Sequence, residues 1–225
     1  MAESYELYHL GIRSGDVPQC VVLVEPELSE LTWGGQWRRT ELARRREFNT
    51  FLLESGPLRL LICLGGCGSP ATVIAAEELM RAGASHILGV SMCRCSDCAG
   101  PNLIQGLGVV IGAEREERTS RDYAPAEFPA CPDPMLMLRL LELPTAKPVM
   151  VRTVDVLDEW RTSPLEARPG HVDLSSSALL VAGAAAGVSA AALVVPAGAA
   201  QSADIGGALT ALAQHQLRPD RGSPA

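Results

Sequence analysis

The fold class predicted for this chain is an α/β sandwich. Three observations predict it: short apolar runs that end in turn residues, segments of helical period between them, and the regular alternation of the two. Gln19 to Val24 (QCVVLV) is an apolar run that stops at Glu25-Pro26, and Leu58 to Leu64 (LRLLICL) is another, running into Gly65-Gly66-Cys67-Gly68. Runs this short and continuously apolar suit strands buried on both faces of a sheet. Between them Glu47 to Glu54 alternates apolar and polar residues and reads as a further strand, with Ser55-Gly56-Pro57 as its turn.

Pro70 to Ala82 carries apolar residues at helical spacing, with Pro70 near the first turn and Gly83 as the stop, so an amphipathic helix is expected. His86 to Met92 and Gly106 to Gly112 are strand candidates, Met135 to Leu143 a helix, and Val149 to Val156 a strand. Arg161 to Gly170 is polar and carries two prolines, which makes it a loop. Leu174 to Ala186 then reads as a helix, Ala192 to Val195 as a strand and Ile205 to Gln216 as a last helix. One domain over 1–217 is expected, with a disordered tail over 218–225.

At 225 residues, 47% of them hydrophobic, the chain can bury one substantial core. Its formal charge of -7 argues against nucleic acid as a partner, since such binders need a basic face to displace counterions. The first ten residues hold Glu3 and Glu6 and no apolar run, which predicts a cytoplasmic protein whose seven cysteines stay reduced, without disulfides. Ala178 to Ala200 is apolar throughout, yet it is built of Ala and Gly and broken at Gly187 to Ser189. A helix followed by a strand is expected there and no membrane span.

Four strings carry a family resemblance: Tyr8-His9-Leu10-Gly11-Ile12, Arg46-Glu47-Phe48-Asn49-Thr50, Gly66 to Leu79 (GCGSPATVIAAEEL) and Tyr123 to Pro129 (YAPAEFP). In this order and spacing the chain resembles the uridine phosphorylase branch of the nucleoside phosphorylase superfamily. The likeness is clear from Tyr8 to Asp133 and degenerate beyond. It implies a three-layer α/β/α sandwich with a mixed, partly barrel-like central sheet, a small-molecule ligand, no cofactor, and assembly as dimers that can form a hexamer. Similar proteins cleave an N-glycosidic bond with phosphate. That task needs arginines and amides around a dianion, a carboxylate on the ribose hydroxyls, and polar groups for the departing base.

Carried over position by position, the resemblance implies a damaged site. The family's phosphate loop G-D-P-D-R stands here as Val24-Glu25-Pro26-Glu27-Leu28. The string R-x-G-T-T-G aligns with Gly89 to Arg94, so its arginine is Gly89 and its threonines are Met92 and Cys93. Arg46 keeps the third arginine, which in the family crosses a dimer interface. The ribose motif E-M-E-S is Asp173-Leu174-Ser175-Ser176, with Ser175 in place of the sugar-binding carboxylate. Of the base-recognition insert only Arg161 is a candidate. Two missing arginines would cost several kcal/mol, at about 1.5 to 3 kcal/mol for each charge-assisted hydrogen bond. Glu25 and Glu27 would add repulsion. Rescue by Arg94 or Arg45 would demand a rebuilt loop.

The tentative catalytic set is therefore His9, Arg46, Cys93, Arg94, His171 and Asp173. The expected pocket lining is Glu25, Leu28, Gly66, Gly89, Met92, Leu174, Ser175 and Arg161, and the pocket is expected to persist in less polar form. His9 aligns with a histidine that touches the sugar's 5′ end from a neighbouring subunit, or is a surface histidine. Cys93 beside Arg94 could be a nucleophile. Cys93, Cys95 and Cys98 lack paired knuckles, so small thiols filling a loop are favoured over zinc. His171 and Asp173 form either an acid/base pair or, the favoured reading, a loop and a helix N-cap. Three functions remain open: a repurposed enzyme acting on a non-nucleoside molecule, as in a cyclisation or isomerisation of secondary metabolism; a residual phosphorylase or hydrolase; and a non-catalytic binding or scaffold homologue.

Overall fold

The structure of the protein, a computed structural model, describes residues 4–28, 36–95, 106–156, 170–197 and 205–216. Arg161, Cys98 and the tail over 218–225 lie outside the described residues. In chain order the elements are β1 (Cys20–Val24), β2 (Arg38–Arg45), β3 (Phe48–Ser55), β4 (Leu58–Leu64), α1 (Ser69–Arg81), β5 (His86–Cys95), β6 (Leu107–Arg115), α2 (Pro134–Leu141), β7 (Ala146–Thr153), β8 (His171–Asp173), α3 (Ser176–Ala186), β9 (Ser189–Pro196) and α4 (Gly206–Gln216). The sheet runs β2-β3-β4-β1-β5-β8-β7-β6-β9, and β9 returns to pair with β5. Strands β5, β8, β7, β6 and β9 thus close a five-membered ring, and the sheet is mixed and partly barrel-like as expected.

Parallel pairing of β1 with β4 and β5 puts three apolar strands side by side, and their alternate side chains feed two cores. Val22, Val24, Leu60, Ile62, Leu88 and Val90 face α2 and α4 through Leu136, Leu140, Leu209 and Leu212. Val21, Leu23, Leu61, Cys63 and Ile87 face α1, with Leu179 of α3 joining them. Continuous apolar runs are what a strand covered on both faces requires, and the three layers follow from them.

Two strands were not foreseen. β2 (RRTELARR) has no buried residue, and its antiparallel ladder with β3 is bulged between Glu41 and Ala43. Its charges, including Arg38 paired with Glu54 and Arg44 3.6 Å from Glu41, sit at the sheet's edge, where charge discourages pairing with other chains. β8 has only three residues and is held from both sides, by β5 and β7. The strand expected over 149–156 begins earlier, at Ala146, and the helix expected from Leu174 begins at Ser176.

The apolar stretch from Ala178 resolves into the end of α3, a left-handed Gly187 with φ of 68° as its cap, and β9. Among the described residues no helix is long and apolar enough to cross a membrane. One sequence expectation is corrected here: Cys95 is disulfide-bonded, while Cys20, Cys63, Cys93 and Cys131 are free thiols. The charge of the first ten residues carries no information about which sulfur atoms the fold brings together.

Candidate functional site

The ends of β1, β4 and β5 meet the start of α3 around a narrow crevice lined by Leu23, Val24, Glu25, Gly65, Gly66, Thr72, Gly89, Val90 and Ser175. Gly65 makes the approach possible. Its φ is 127°, and an added Cβ would lie 2.0 Å from the Glu47 carbonyl oxygen, so only glycine lets β4 end against the turn before β3. Four of the expected lining residues are here: Glu25, Gly66, Gly89 and Ser175. Leu28 is not. It is fully buried in the core between the sheet, α2 and α4.

Glu25 determines the character of the crevice. The residue is 5% exposed; one carboxylate oxygen accepts the Met92 backbone N–H at 2.8 Å and the other the Ser175 hydroxyl at 3.2 Å. The backbone holds it there as well, since Glu25 N–H donates to the Val90 carbonyl at 3.1 Å. The remaining room is about 10 Å3, roughly what one water molecule needs. Among the described residues the crevice is this narrow. At Gly89 the neighbour is Leu179, whose Cδ2 would lie 2.5 Å from an added Cβ.

Behind the crevice runs a chain of buried polar groups. Asp173, fully buried, accepts the Thr153 hydroxyl at 2.7 Å, the Ser91 hydroxyl at 3.0 Å and the Ser176 N–H at 2.9 Å. The Thr153 hydroxyl in turn accepts the Ser177 N–H at 2.9 Å. Ser177 donates its own hydroxyl to Glu117 at 2.6 Å, and Glu117 also accepts the Ser120 N–H at 2.8 Å. Three consecutive serines at the start of α3 therefore each serve a buried carboxylate: Ser175 serves Glu25, Ser176 serves Asp173 and Ser177 serves Glu117. The favourable end of the helix macrodipole points the same way.

Burial pushes the Asp173 carboxyl above its ordinary value, against the lowering effect of its hydrogen bonds. It holds the chain entering α3 and spans β5, β7 and α3. Its side chain accepts the first N–H of α3, while the N-cap residue itself is Ser175, and its hydrogen bonds run to Ser91, Thr153 and Ser176 and not to His171.

His171, two residues earlier on β8, is 7% exposed, and its Nε2 has no hydrogen-bond partner. Burial lowers its pKa from the ordinary 6.5. A group whose folded pKa is depressed contributes stability in full above its unfolded value and loses it as pH falls through the folded one. Urea-unfolding midpoints of the protein should therefore fall on acidification from about pH 7 to pH 5, and the His171→Leu variant should show a shallower slope. Equal slopes would show that His171 is not held neutral by the fold.

The other tentative catalytic residues are not gathered at the crevice. Cys93 is 1% exposed within a core of Val110, Val149, Val151 and Leu180, and burial, reinforced by Asp173 and Glu25, pushes its thiol up to about 12. A thiol held protonated is a poor nucleophile, so that role is corrected. Arg94 is exposed and pairs with Val172 on β8. Met92 packs partly buried against the core and gives the crevice only its N–H. Leu174 gives its carbonyl to the Ser69 hydroxyl at 2.7 Å, tying α1 to the start of α3.

His9, Arg45 and Arg46 form a separate surface cluster. His9 Nδ1 lies 2.7 Å from Glu78, which also accepts the His9 and Leu10 N–H groups. The Arg46 guanidinium sits 4.7 Å over the exposed ring of Tyr8, and Arg45 pairs with Glu6. Sequence reasoning missed Glu117, Thr153, Ser91 and Ser177. The only signal for them was the Ser-Ser-Ser run after Asp173.

No protein-family model matches the chain. Its fold is shared with purine nucleoside phosphorylase from Toxoplasma gondii in complex with immucillin-H, at a TM-score of 0.80 and 19% identity over 96% of this chain and 98% of that one. Uridine phosphorylase from Vibrio fischeri ES114 superposes at 0.76, with 21% identity over 94% and 96%. The chain thus has the fold of nucleoside phosphorylases of known structure.

In sequence the chain is similar to uridine and guanosine phosphorylases over part of their length. It is 33% identical over 128 residues to uridine phosphorylase of Treponema pallidum (strain Nichols), covering 56% of this chain and 48% of that protein. It is 36% identical over 95 residues to guanosine phosphorylase of Halorubrum lacusprofundi, covering 41% and 37%. The chain spans about half the length, or less, of these curated relatives.

Proposed function

We propose that this protein is a nucleoside phosphorylase homologue that has lost ordinary phosphate and ribose binding and acts on a different, non-nucleoside small molecule. The observation that carries the reading is that Leu28 and Gly89 stand where the family resemblance puts two phosphate-binding arginines, and Leu28 is fully buried in the core. A phosphate dianion brought to this place would find neither of those two cations to hold it, and charge-assisted hydrogen bonds are what such an anion needs. Gly89, aligned with a family arginine, supplies no cation, and Leu179 fills the space beside it.

The ligand this reading requires does not carry a phosphate-like dianionic charge. The exposed Tyr8 and Arg46 pair supports contact with a second copy of the chain, because an aromatic ring and an arginine are the residue types enriched at such interfaces. We further take the protein to act in the cytosol.

A second reading, residual cleavage of an N-glycosidic bond, is favoured by one fact: the sequence relatives are nucleoside phosphorylases. Incubation with uridine, inosine and adenosine, with and without phosphate, separates the two. The expected result is no phosphate-dependent release of base. Release that rises with phosphate concentration and saturates would overturn the proposal.

A further inference from the structure

Cys95 closes β5, and its sulfur is held in a disulfide. Cys20, Cys63, Cys93 and Cys131 are free thiols, so the second sulfur of the bond belongs to none of them. Cys95 is partly exposed and open to a small solute, whereas Cys93, two residues back on the same side of the strand, is 1% exposed. The ladder sets an imidazole beside the bond. β8 pairs antiparallel with β5, and His171 stands directly opposite Cys95. Residues so placed share one face of the sheet, with Cβ atoms about 4.5–5.5 Å apart. On its other side His171 faces Val151 of β7, which has no polar side-chain atom. His171 is 7% exposed, and its Nε2 has no hydrogen-bond partner while the sulfur is tied up in the bond.

We propose that Cys95 is a thiol–disulfide exchange site for low-molecular-weight thiols, and that the His171 imidazole receives its sulfur when the bond is cleaved. A disulfide sulfur has no proton to give and accepts only weakly, so it leaves Nε2 unanswered. A thiolate there accepts from a ring N–H, and a thiol donates to a bare ring nitrogen. The step balances with a dithiol as reductant. Its thiolate attacks the sulfur bonded to Cys95, the S–S bond breaks, and the Cys95 sulfur leaves with the bonding pair and takes up a proton beside His171. The reagent's second thiol then closes on the mixed disulfide, frees the other cysteine and departs as a cyclic disulfide. Two electrons and two protons pass to the protein. A sulfur leaves faster when its thiolate is better stabilised, which a hydrogen bond from the ring achieves. Exposed bonds are the labile ones, and in reducing surroundings a disulfide is usually transient, catalytic or redox-sensing.

The test begins with alkylation of protein purified in air and then unfolded, mapped by mass spectrometry before and after dithiothreitol. Cys95 should be blocked before reduction and alkylated after it. The rate of that reduction in the folded protein, at about pH 7, should be roughly tenfold slower in the H171L variant than in the wild type. A ring that merely filled space would give the opposite sign, because a loosened β8 exposes the bond and speeds its reduction. Cys95 alkylated without reductant, or reduction of folded H171L as fast as that of the wild type or faster, overturns the proposal.

Where H171L does not fold, the wild type carries the test by nuclear magnetic resonance. The Nε2 nitrogen resonance of His171 should move on reduction by dithiothreitol. In C95A, which has no sulfur to release, the same addition should leave it in place. A resonance unmoved by reduction of the wild type, or moved equally in C95A, overturns the proposal. Failure here is distinguishable from failure of the proposed function, since neither measurement involves a nucleoside or phosphate.

Discussion

Replacing Asp173 by alanine is expected to destabilise the protein by about 3 kcal/mol or more, while Asp173→Asn costs far less. Alanine leaves three donors, the hydroxyls of Ser91 and Thr153 and the N–H of Ser176, without the acceptor they share in a site closed to water. Each orphaned buried donor costs on the order of 1–3 kcal/mol, reduced where a hydroxyl can turn to another acceptor. Asparagine keeps one oxygen for Ser91 and Ser176 and can turn its amide N–H toward Thr153. That hydroxyl already accepts the Ser177 N–H and has a second lone pair to offer.

The two variants also separate by pH. Burial raises the Asp173 carboxyl above its ordinary 3.8, so its contribution is full below that value and is lost as pH rises through the raised folded one. The amide of the Asp173→Asn variant does not titrate. Stability of that variant relative to the wild type should therefore improve as pH rises, in urea melts from about pH 4 upward. An Asp173→Ala variant as stable as the wild type would show that the polar chain behind the crevice is not what holds the start of α3.

The sheet and its helices were legible because their signals are local. LRLLICL is a buried strand whatever surrounds it, and the Gly-rich turn followed by Pro70 and a 3.6-period run marks a strand-to-helix passage. β2 was not legible, since RRTELARR has neither an apolar face nor a turn at its head. Its strand character comes from the ladder it makes with β3, which is tertiary information. β8 is a more extreme case: three residues, His171 to Asp173, become a strand only because β5 and β7 lie either side.

The candidate site divides along the same line. That Gly89 and Ser175 stand at positions where the family resemblance has an arginine and a carboxylate follows from aligning motifs. That the Glu25 carboxylate reaches the Ser175 hydroxyl, 150 residues away in sequence, depends on the ends of β1 and β8 meeting across β5, and no spacing in the sequence encodes it. Cys93 shows the opposite error. A thiol next to an arginine looks activated in a string of letters, but alternation along β5 sends Cys93 into the core and Arg94 out to solvent.

Placing an arginine at Gly89, where the family resemblance would put one, is expected to unfold the protein before it binds any phosphate. Gly89 lies in the middle of β5, paired with Leu23 of β1 on one side and Ala192 of β9 on the other, so the backbone has no freedom to shift. Even a methyl group there would meet Leu179 at 2.5 Å, and Leu179 is itself 1% exposed between α1 and the sheet. Gly89→Ala alone should cost roughly 1–3 kcal/mol by overpacking. Leu179→Ala alone should cost roughly 2–5 kcal/mol by leaving a cavity. The double variant should be more stable than the sum of those losses predicts, by about 0.5 kcal/mol or more, because each change relieves the other. Chemical denaturation of the four proteins measures that coupling directly, and strict additivity would mean that Leu179 does not fill the place of the missing side chain. With coupling confirmed, Leu179 of α3 holds the space beside Gly89, and a larger side chain there, a cation included, fits only if α3 shifts with it.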